Sequence, residues 1–302
     1  MRFLISRLSA LGDVVCTLPA AGALRAAFPD CEIVWIVDKR FAGVTRCCKH
    51  LNQVILRDEM VEGEFDCAFD MQGLFKSGSI LRKVKARQKL GYHWQREGAS
   101  LFSAKVLPDP TSYHIVDQYV DVTRVLCPAI ESADFGLEAR PEDVLSLSEK
   151  FDLNSRYVVI NPGAGWVSKR WPPSHFAELC NWISSQNMEP VAIGGNSADD
   201  HAGFEEVQAV AKCEIKKLTG NTSIPELIAL IYRAQAHVGG DTGSTHIAAA
   251  VATRAIGLYS ITRPQRSCPY GQVENCLYNP DGLGHISPEE VIAVLDRELN
   301  RP

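Results

Sequence analysis

Short apolar runs recur along the whole chain, each closed by glycine, proline or polar residues, and stretches with helical spacing fall between them. Residues 2–6, 32–37, 53–56 and 65–70 predict strands. Residues 14–27, with Pro19 near the start, and 39–49 predict helices. Beyond 129–154, which holds Pro141 and many acidic residues and reads as a loose final element and linker, the alternation restarts. Strands are expected at 157–160, 190–193, 236–238 and 255–258. Helices are expected at 174–185 with Ser174 as N-cap, at 199–212, at 224–232 behind Ser223, at 245–251 and at 288–299. Strands alternating with helices predict parallel sheets wrapped by helices. The class is therefore α/β, in two domains, 1–152 and 153–302, with a small-molecule site expected in a cleft between them.

The chain has 302 residues, 46% of them hydrophobic, which suits two cores better than one. Its ten cysteines include no C-x-x-C pair, so they read as small buried hydrophobes of a reducing compartment rather than zinc ligands. The first apolar run ends at Ser6-Arg7, unlike a secretory signal, and no stretch approaches a membrane span; any membrane association would be peripheral. A net charge of −5 argues against nucleic acid as the main partner. Against that background, Lys76, Arg82, Lys83, Lys85, Arg87, Lys89 and Arg96 follow one another with no acidic residue between them. The stretch is either a solvated helix face with a loop or a site for an anionic partner.

Three clusters could carry chemistry. Ser9-Ala10-Leu11-Gly12-Asp13 follows the first strand, and Asp13 falls in the first turn of a helix. The position suits a dipole-favoured aspartate, and equally a general base that takes a proton from a hydroxyl. Asn161-Pro162-Gly163-Ala164-Gly165, with Lys169 close behind, is either a plain strand-to-helix connection or a loop whose N–H groups meet phosphate. It lacks the G-K-[ST] of a Walker A loop. In Gly239-Gly240-Asp241-Thr242-Gly243-Ser244-Thr245-His246 a strand ends in a glycine-rich turn that opens a helix, an arrangement suited to holding an anion. G-x-G-x-x-G, D-x-D, H-E-x-x-H and G-x-S-x-G are all missing from the sequence, so phosphate charge is expected to be met by backbone, helix dipole and Lys169 rather than by a metal ion.

Four segments in order resemble the lipopolysaccharide heptosyltransferases of glycosyltransferase family 9: the opening R-F-L-I-S-R-L-S-A-L-G-D-V-V-C-T-L-P-A, Asp70-Met71-Gln72-Gly73-Leu74-Phe75-Lys76-Ser77, S-K-R-W-P and G-G-D-T-G-S-T-H. The first two lean toward heptosyltransferase I. The resemblance implies a GT-B fold of two Rossmann-like domains, the first for the acceptor and the second for the donor. It also implies inverting, metal-independent transfer from ADP-heptose to the Kdo-lipid A inner core at the cytoplasmic face of the inner membrane, with no cofactor. Asp13 falls on the family's proposed base. Lys169 falls on a phosphate-contacting lysine, and Asp241, Thr242, Gly243 and His246 fall on donor positions. Ser244 adds a hydroxyl there. A ribose-holding carboxylate falls near Asp199 or Asp200. Gly12, Lys76, Lys83, Lys85 and Lys89 are expected on the acceptor side. Three readings remain open on the residues alone: another sugar or acceptor within the family, a nucleotide-sugar epimerase, and a nucleotide-binding module without catalysis.

Overall fold

The computed structural model describes residues 1–127, 133–153, 156–163 and 170–301. They form two compact units, Met1–Glu138 and Ala139–Pro302.

The first unit is built on β1 (Arg2–Ser6), α1 (Leu11–Ala27), β2 (Glu32–Val37), α2 (Ala42–Arg46), β3 (Gln53–Leu56), β4 (Glu64–Asp70), α3 (Phe75–Lys83), β5 (Lys85–Tyr92), β6 (Ala104–Val106) and α4 (Ile115–Thr123). Its six strands lie in the order β3-β2-β1-β4-β5-β6, all parallel. Phe3, Leu4 and Ile5 of the central strand are fully buried, as expected of a parallel strand covered on both faces. Every residue of α1 from Val14 to Leu24 is buried, because α4 packs against the side that the sheet leaves open. A leucine as deeply placed as Leu18 contributes about 2 kcal/mol through burial alone.

Two sequence expectations shift here. The helix expected over 39–49 is a 3₁₀ turn at Lys39–Phe41 followed by α2, and it stops at Cys47. There the chain is drawn into an antiparallel bridge, with Lys49 N–H donating to Gly136 O at 2.8 Å and Glu138 N–H to Cys47 O at 3.0 Å. Helix α4 was not expected at all; its apolar face is short and its cap is His114, whose Nδ1 accepts from Val116 N at 3.2 Å.

The second unit contains α5 (Pro141–Lys150), β7 (Tyr157–Asn161), α6 (Pro173–Ser185), β8 (Glu189–Ala192), α7 (Ala198–Val210), β9 (Lys216–Lys217), α8 (Ile224–Arg233), β10 (Ala236–Gly240), α9 (Gly243–Ala250), β11 (Ala255–Tyr259), α10 (Pro264–Ser267), β12 (Cys276–Tyr278) and α11 (Pro288–Leu299). Its sheet runs β9-β8-β7-β10-β11-β12, again all parallel. Counted from each unit's first strand, the two orders are the same, 3-2-1-4-5-6, which is the doubly wound Rossmann order.

The units divide at Glu138/Ala139, whereas the sequence suggested 152/153. The reason is Glu226 of α8, only 3% exposed. It takes an ion pair from Lys150 at 2.5 Å and a hydrogen bond from Ser146 at 2.6 Å, so the stretch read as linker is α5, packed on α8 with Leu147 buried. Ser174 is not an N-cap: α6 begins at Pro173, where a missing N–H is harmless, and Pro172 holds the cap position. Ser223 does cap α8, accepting from Glu226 N at 3.3 Å.

Candidate functional site

In a doubly wound sheet the strand order reverses beside the first strand, and the loops leaving the carboxyl ends at that point diverge to leave a crevice. Here the reversal lies between β1 and β4 in one unit and between β7 and β10 in the other. In register, Ser6 stands opposite Asp70, and Asn161 opposite Gly239. The segments that leave those ends are Ser9–Asp13, Asp70–Ser77, the loop after Asn161, and Gly239–His246. Two of the four segments that carry the sequence resemblance thus begin at a switch point, and the opening one runs through it.

In the first unit, Asp13 is the third residue of α1 and its side chain is 46% exposed. Its Oδ2 receives the Arg7 guanidinium at 2.8 Å and the Ala10 N–H at 3.2 Å. Arg7 is itself buried, donates to Met71 O, and lies 5.1 Å over the Tyr119 ring. Burial pushes the Tyr119 phenol far up, so it stays neutral beneath the guanidinium. The two loops are sewn together. Gln72 Oε1 accepts from Leu8 N at 2.9 Å, and both Gln72 Nε2 (3.2 Å) and Lys76 Nζ (3.3 Å) donate to Ser9 Oγ. Asp70 holds the second loop: its Oδ1 accepts from Gln72 N and Gly73 N, each at 3.0 Å, while burial raises its carboxyl pKa against those bonds. Gly73 has φ +67°, and a Cβ there would meet Trp94 O at 2.6 Å, so the position requires glycine. Gly12 sits in the first turn of α1 beside Asp13.

The basic segment is not one patch. Lys76 joins the Asp13 loop. Lys83 ends α3, and Lys85 opens β5 opposite Glu64, at the amino edge of the sheet. From Lys85 to the carboxyl end of β5 at Tyr92 is seven residues, about 23 Å. Lys89 stands mid-strand opposite Ala68. Arg87 is taken up by Asp66 at 3.5 Å. Lys83, Lys85 and Lys89, expected on the acceptor side, thus do not join Lys76 at the Asp13 loop: a strand runs through the segment and carries its two ends to opposite edges of the sheet. The basic residue that does return is Arg96. Its N–H donates to Gly73 O at 2.8 Å, and its guanidinium lies 5.9 Å from the exposed Trp94 ring.

In the second unit, Thr242 holds the N-cap position of α9 without using its side chain as a cap, which leaves the first-turn N–H groups without a side-chain cap. A hydroxyl network lies beside them. Asn161 Nδ2 donates to Ser244 Oγ at 2.9 Å and to Thr242 Oγ1 at 3.3 Å. Thr245 Oγ1 donates to Gly240 O at 2.6 Å. Asp241 Oδ1 lies 3.5 Å from His246 Nε2. Gly243 is the first residue of the helix. Of the two aspartates opening α7, Asp199 is 81% exposed and faces Arg170 at 3.8 Å. It is Asp200 that turns inward: a Cβ on Gly163 would lie 2.8 Å from its Oδ1, and one on Gly195 2.7 Å from its Oδ2. Asp200 is also bonded to Ser197 as a helix cap. Lys169, Ala164 and Gly165 lie outside the described residues. Among the described residues no group of three His, Cys, Asp or Glu could hold a metal ion, and no helix is long and apolar enough to cross a membrane.

Sequence reasoning missed the roles of Gln72, Asp70 and His237 in these sites. Gln72 and Asp70 lay inside a motif already marked. His237 carried no local signal, because its role comes from what the sheet sets beside it.

Residues 54–285 match the sequence profile of Glycosyltransferase family 9 (heptosyltransferase). The chain is similar to the lipopolysaccharide core heptosyltransferase OpsX of Haemophilus influenzae, 25% identical over 285 residues that span 90% of this chain and 82% of the relative. It is likewise similar to lipopolysaccharide heptosyltransferase 1 of Pseudomonas aeruginosa, 28% identical over 305 residues, with 90% and 82% covered. Its fold is that of the Escherichia coli heptosyltransferase WaaC, solved with ADP: TM-score 0.81, 21% identity, 99% of this chain and 100% of that one.

Proposed function

The chain belongs to glycosyltransferase family 9 (heptosyltransferase), and from that membership we propose that it moves a heptose from ADP-heptose to the Kdo-lipid A inner core of lipopolysaccharide. Relatives named for the lipopolysaccharide core and for heptosyltransferase 1 support the acceptor class, and the ADP in the solved relative supports the donor.

The observation that carries the mechanism is the asymmetric grip on Asp13. Arg7 and the Ala10 N–H both engage Oδ2, which orients the carboxylate and leaves Oδ1 to take the proton of an incoming hydroxyl. In the proposed reaction the acceptor hydroxyl gives its proton to Asp13 as its oxygen attacks the anomeric carbon, inverting it. The carbon–oxygen bond to the diphosphate breaks, and the growing charge on the leaving group is met by Lys169, the first N–H groups of α9 and the hydroxyls of Thr242 and Ser244. Asp241 and His246 brace that turn, and Asp200 holds the ribose. No metal or cofactor takes part. Lys76 and Arg96 meet the anionic acceptor beside Asp13. The protein works in the cytoplasm, peripherally at the inner membrane.

Incubation with ADP-heptose, with and without Kdo-lipid A, tests this through ADP release. ADP formed only with acceptor supports transfer. Nucleotide and free sugar released without acceptor would favour an epimerase, and tight ADP binding with no turnover a binding module.

A further inference from the structure

His237 lies on β10, fully buried, two residues before the motif that opens α9. Its Nε2 is 3.0 Å from Ser244 Oγ. Nothing in the mechanism above uses it, yet it stands at the inner end of the hydroxyl network. The ring reaches Ser244 because Gly239, two residues along the same strand face, has no side chain: a Cβ there would lie 3.0 Å from His237 Cε1 and 3.2 Å from Asn161 Cβ.

The proton positions in this network follow from its unpaired atoms. His237 Nδ1 is buried without a hydrogen-bond partner; the residue's own backbone lies near it, but not in hydrogen-bond geometry. A buried N–H without an acceptor is costlier than a bare lone pair, so the ring proton belongs on Nε2. Burial holds the imidazole pKa down to about 3, so the ring is neutral. Asn161 is oriented independently: its Oδ1 accepts from Gly163 N at 3.1 Å, which turns Nδ2 toward Ser244 and Thr242. Ser244 Oγ therefore receives two donors, from His237 and Asn161, and its own proton must leave in the remaining direction, toward Thr242 Oγ1 at 3.0 Å. Thr242 Oγ1 already accepts from Asn161 and lies 3.4 Å from Thr245 Oγ1, whose proton is committed to Gly240 O. The Thr242 proton then has only the long contact to Thr245 Oγ1, 3.4 Å away, and a charged diphosphate oxygen is the stronger acceptor that draws it outward. With the proton on His237 Nδ1 instead, Ser244 would donate inward, Thr242 would donate to Ser244, and the outermost hydroxyl would present a lone pair.

We infer that His237 is a positioning residue that sets the polarity of the His237–Ser244–Thr242 chain, so that the Thr242 hydroxyl presents a proton to a diphosphate oxygen. This rests on the reading of the α9 turn as the donor-diphosphate site. His237 touches no substrate and acts through Ser244.

Calorimetric titration with ADP and with adenosine tests the inference. His237→Leu should weaken ADP binding roughly tenfold and leave adenosine unchanged, since only the diphosphate meets Thr242. Gly239→Ala, which displaces the ring without removing it, should show the same selective loss. Adding His237→Leu to Ser244→Ala should cost nothing further. In the wild-type protein, ¹⁵N spectra of the histidine rings should show His237 neutral with its proton on Nε2, a result that does not depend on any variant folding. A proton on Nδ1, an unchanged ADP affinity in His237→Leu, or equal losses for ADP and adenosine would each overturn the relay. Wild-type protein that binds adenosine but gains nothing from the diphosphate would overturn the donor-site reading itself.

Discussion

Asp13→Asn separates chemistry from architecture. The amide keeps the carboxylate's size, and its oxygen can still accept from Arg7 at the position where Oδ2 now lies 2.8 Å away. Arg7 also keeps Met71 O and the Tyr119 ring. Because Asp13 is 46% exposed, its charge contributes little to stability, and the expected cost is about 1 kcal/mol. The catalytic cost is larger. An amide cannot take the proton, and loss of a general base lowers turnover by about 10²-fold or more, close to 3 kcal/mol in the barrier. The donor KM should hardly change, since the donor groups belong to the other unit. Urea unfolding gives the first number, and steady-state ADP release at saturating donor and acceptor gives the second. Turnover within about threefold of wild type would remove Asp13 from the proton transfer. A raised KM with unchanged kcat would make it a binding group instead.

Further outcomes follow from particular contacts. Lys76→Ala and Arg96→Ala should each weaken Kdo-lipid A binding by about tenfold at low salt, with the effect shrinking as salt rises, whereas Lys83→Ser and Lys85→Ser, at the far edge of the sheet, should change it less than about twofold; the reverse ranking would restore the amino-edge lysines to the acceptor site. EDTA should leave the rate unchanged, and a Mg²⁺-reversible loss would show that the diphosphate needs a cation. Burial alone would raise the Glu226 pKa, but Lys150, Ser146 and Ser223 outweigh it and hold the carboxyl down to about 2, against 4.5. A depressed carboxylate stabilises the fold above pH 4.5, and that stability is lost as pH falls toward 2. With Lys150 half exposed, Glu226→Gln should cost about 1–2 kcal/mol at pH 7, and urea melts should show the gap narrowing as pH falls from 4.5 toward 2.

The local pattern of the chain determined the elements that bury apolar residues on a clear period. The central strands at 2–6 and 157–160, the final helix at Pro288–Leu299 and the Ser223-capped helix all stand where the sequence put them, give or take a residue. Three of the motifs were legible for the same reason: glycine, aspartate and hydroxyl residues at the end of a strand have few purposes apart from turning the chain or meeting a ligand. What only the tertiary structure decided depends on distance through space. Seven basic residues between 76 and 96, with no acidic one among them, left a solvated face and an anion site both open until β5 carried Lys85 and Arg96 to opposite edges of the sheet. The linker became a helix of the second unit because Glu226, 80 residues from Ser146, needs partners in its burial. Asp200 turns inward and Asp199 outward because adjacent helical residues point about 100° apart, and Gly163, Gly194 and Gly195 of two loops leave room beside Asp200. The roles of Arg7, inside the opening motif, and of His237 depend on partners that the fold sets beside them. The first is defined by Asp13, Met71 and Tyr119. The second is defined by a serine that a missing Cβ on Gly239 lets it reach.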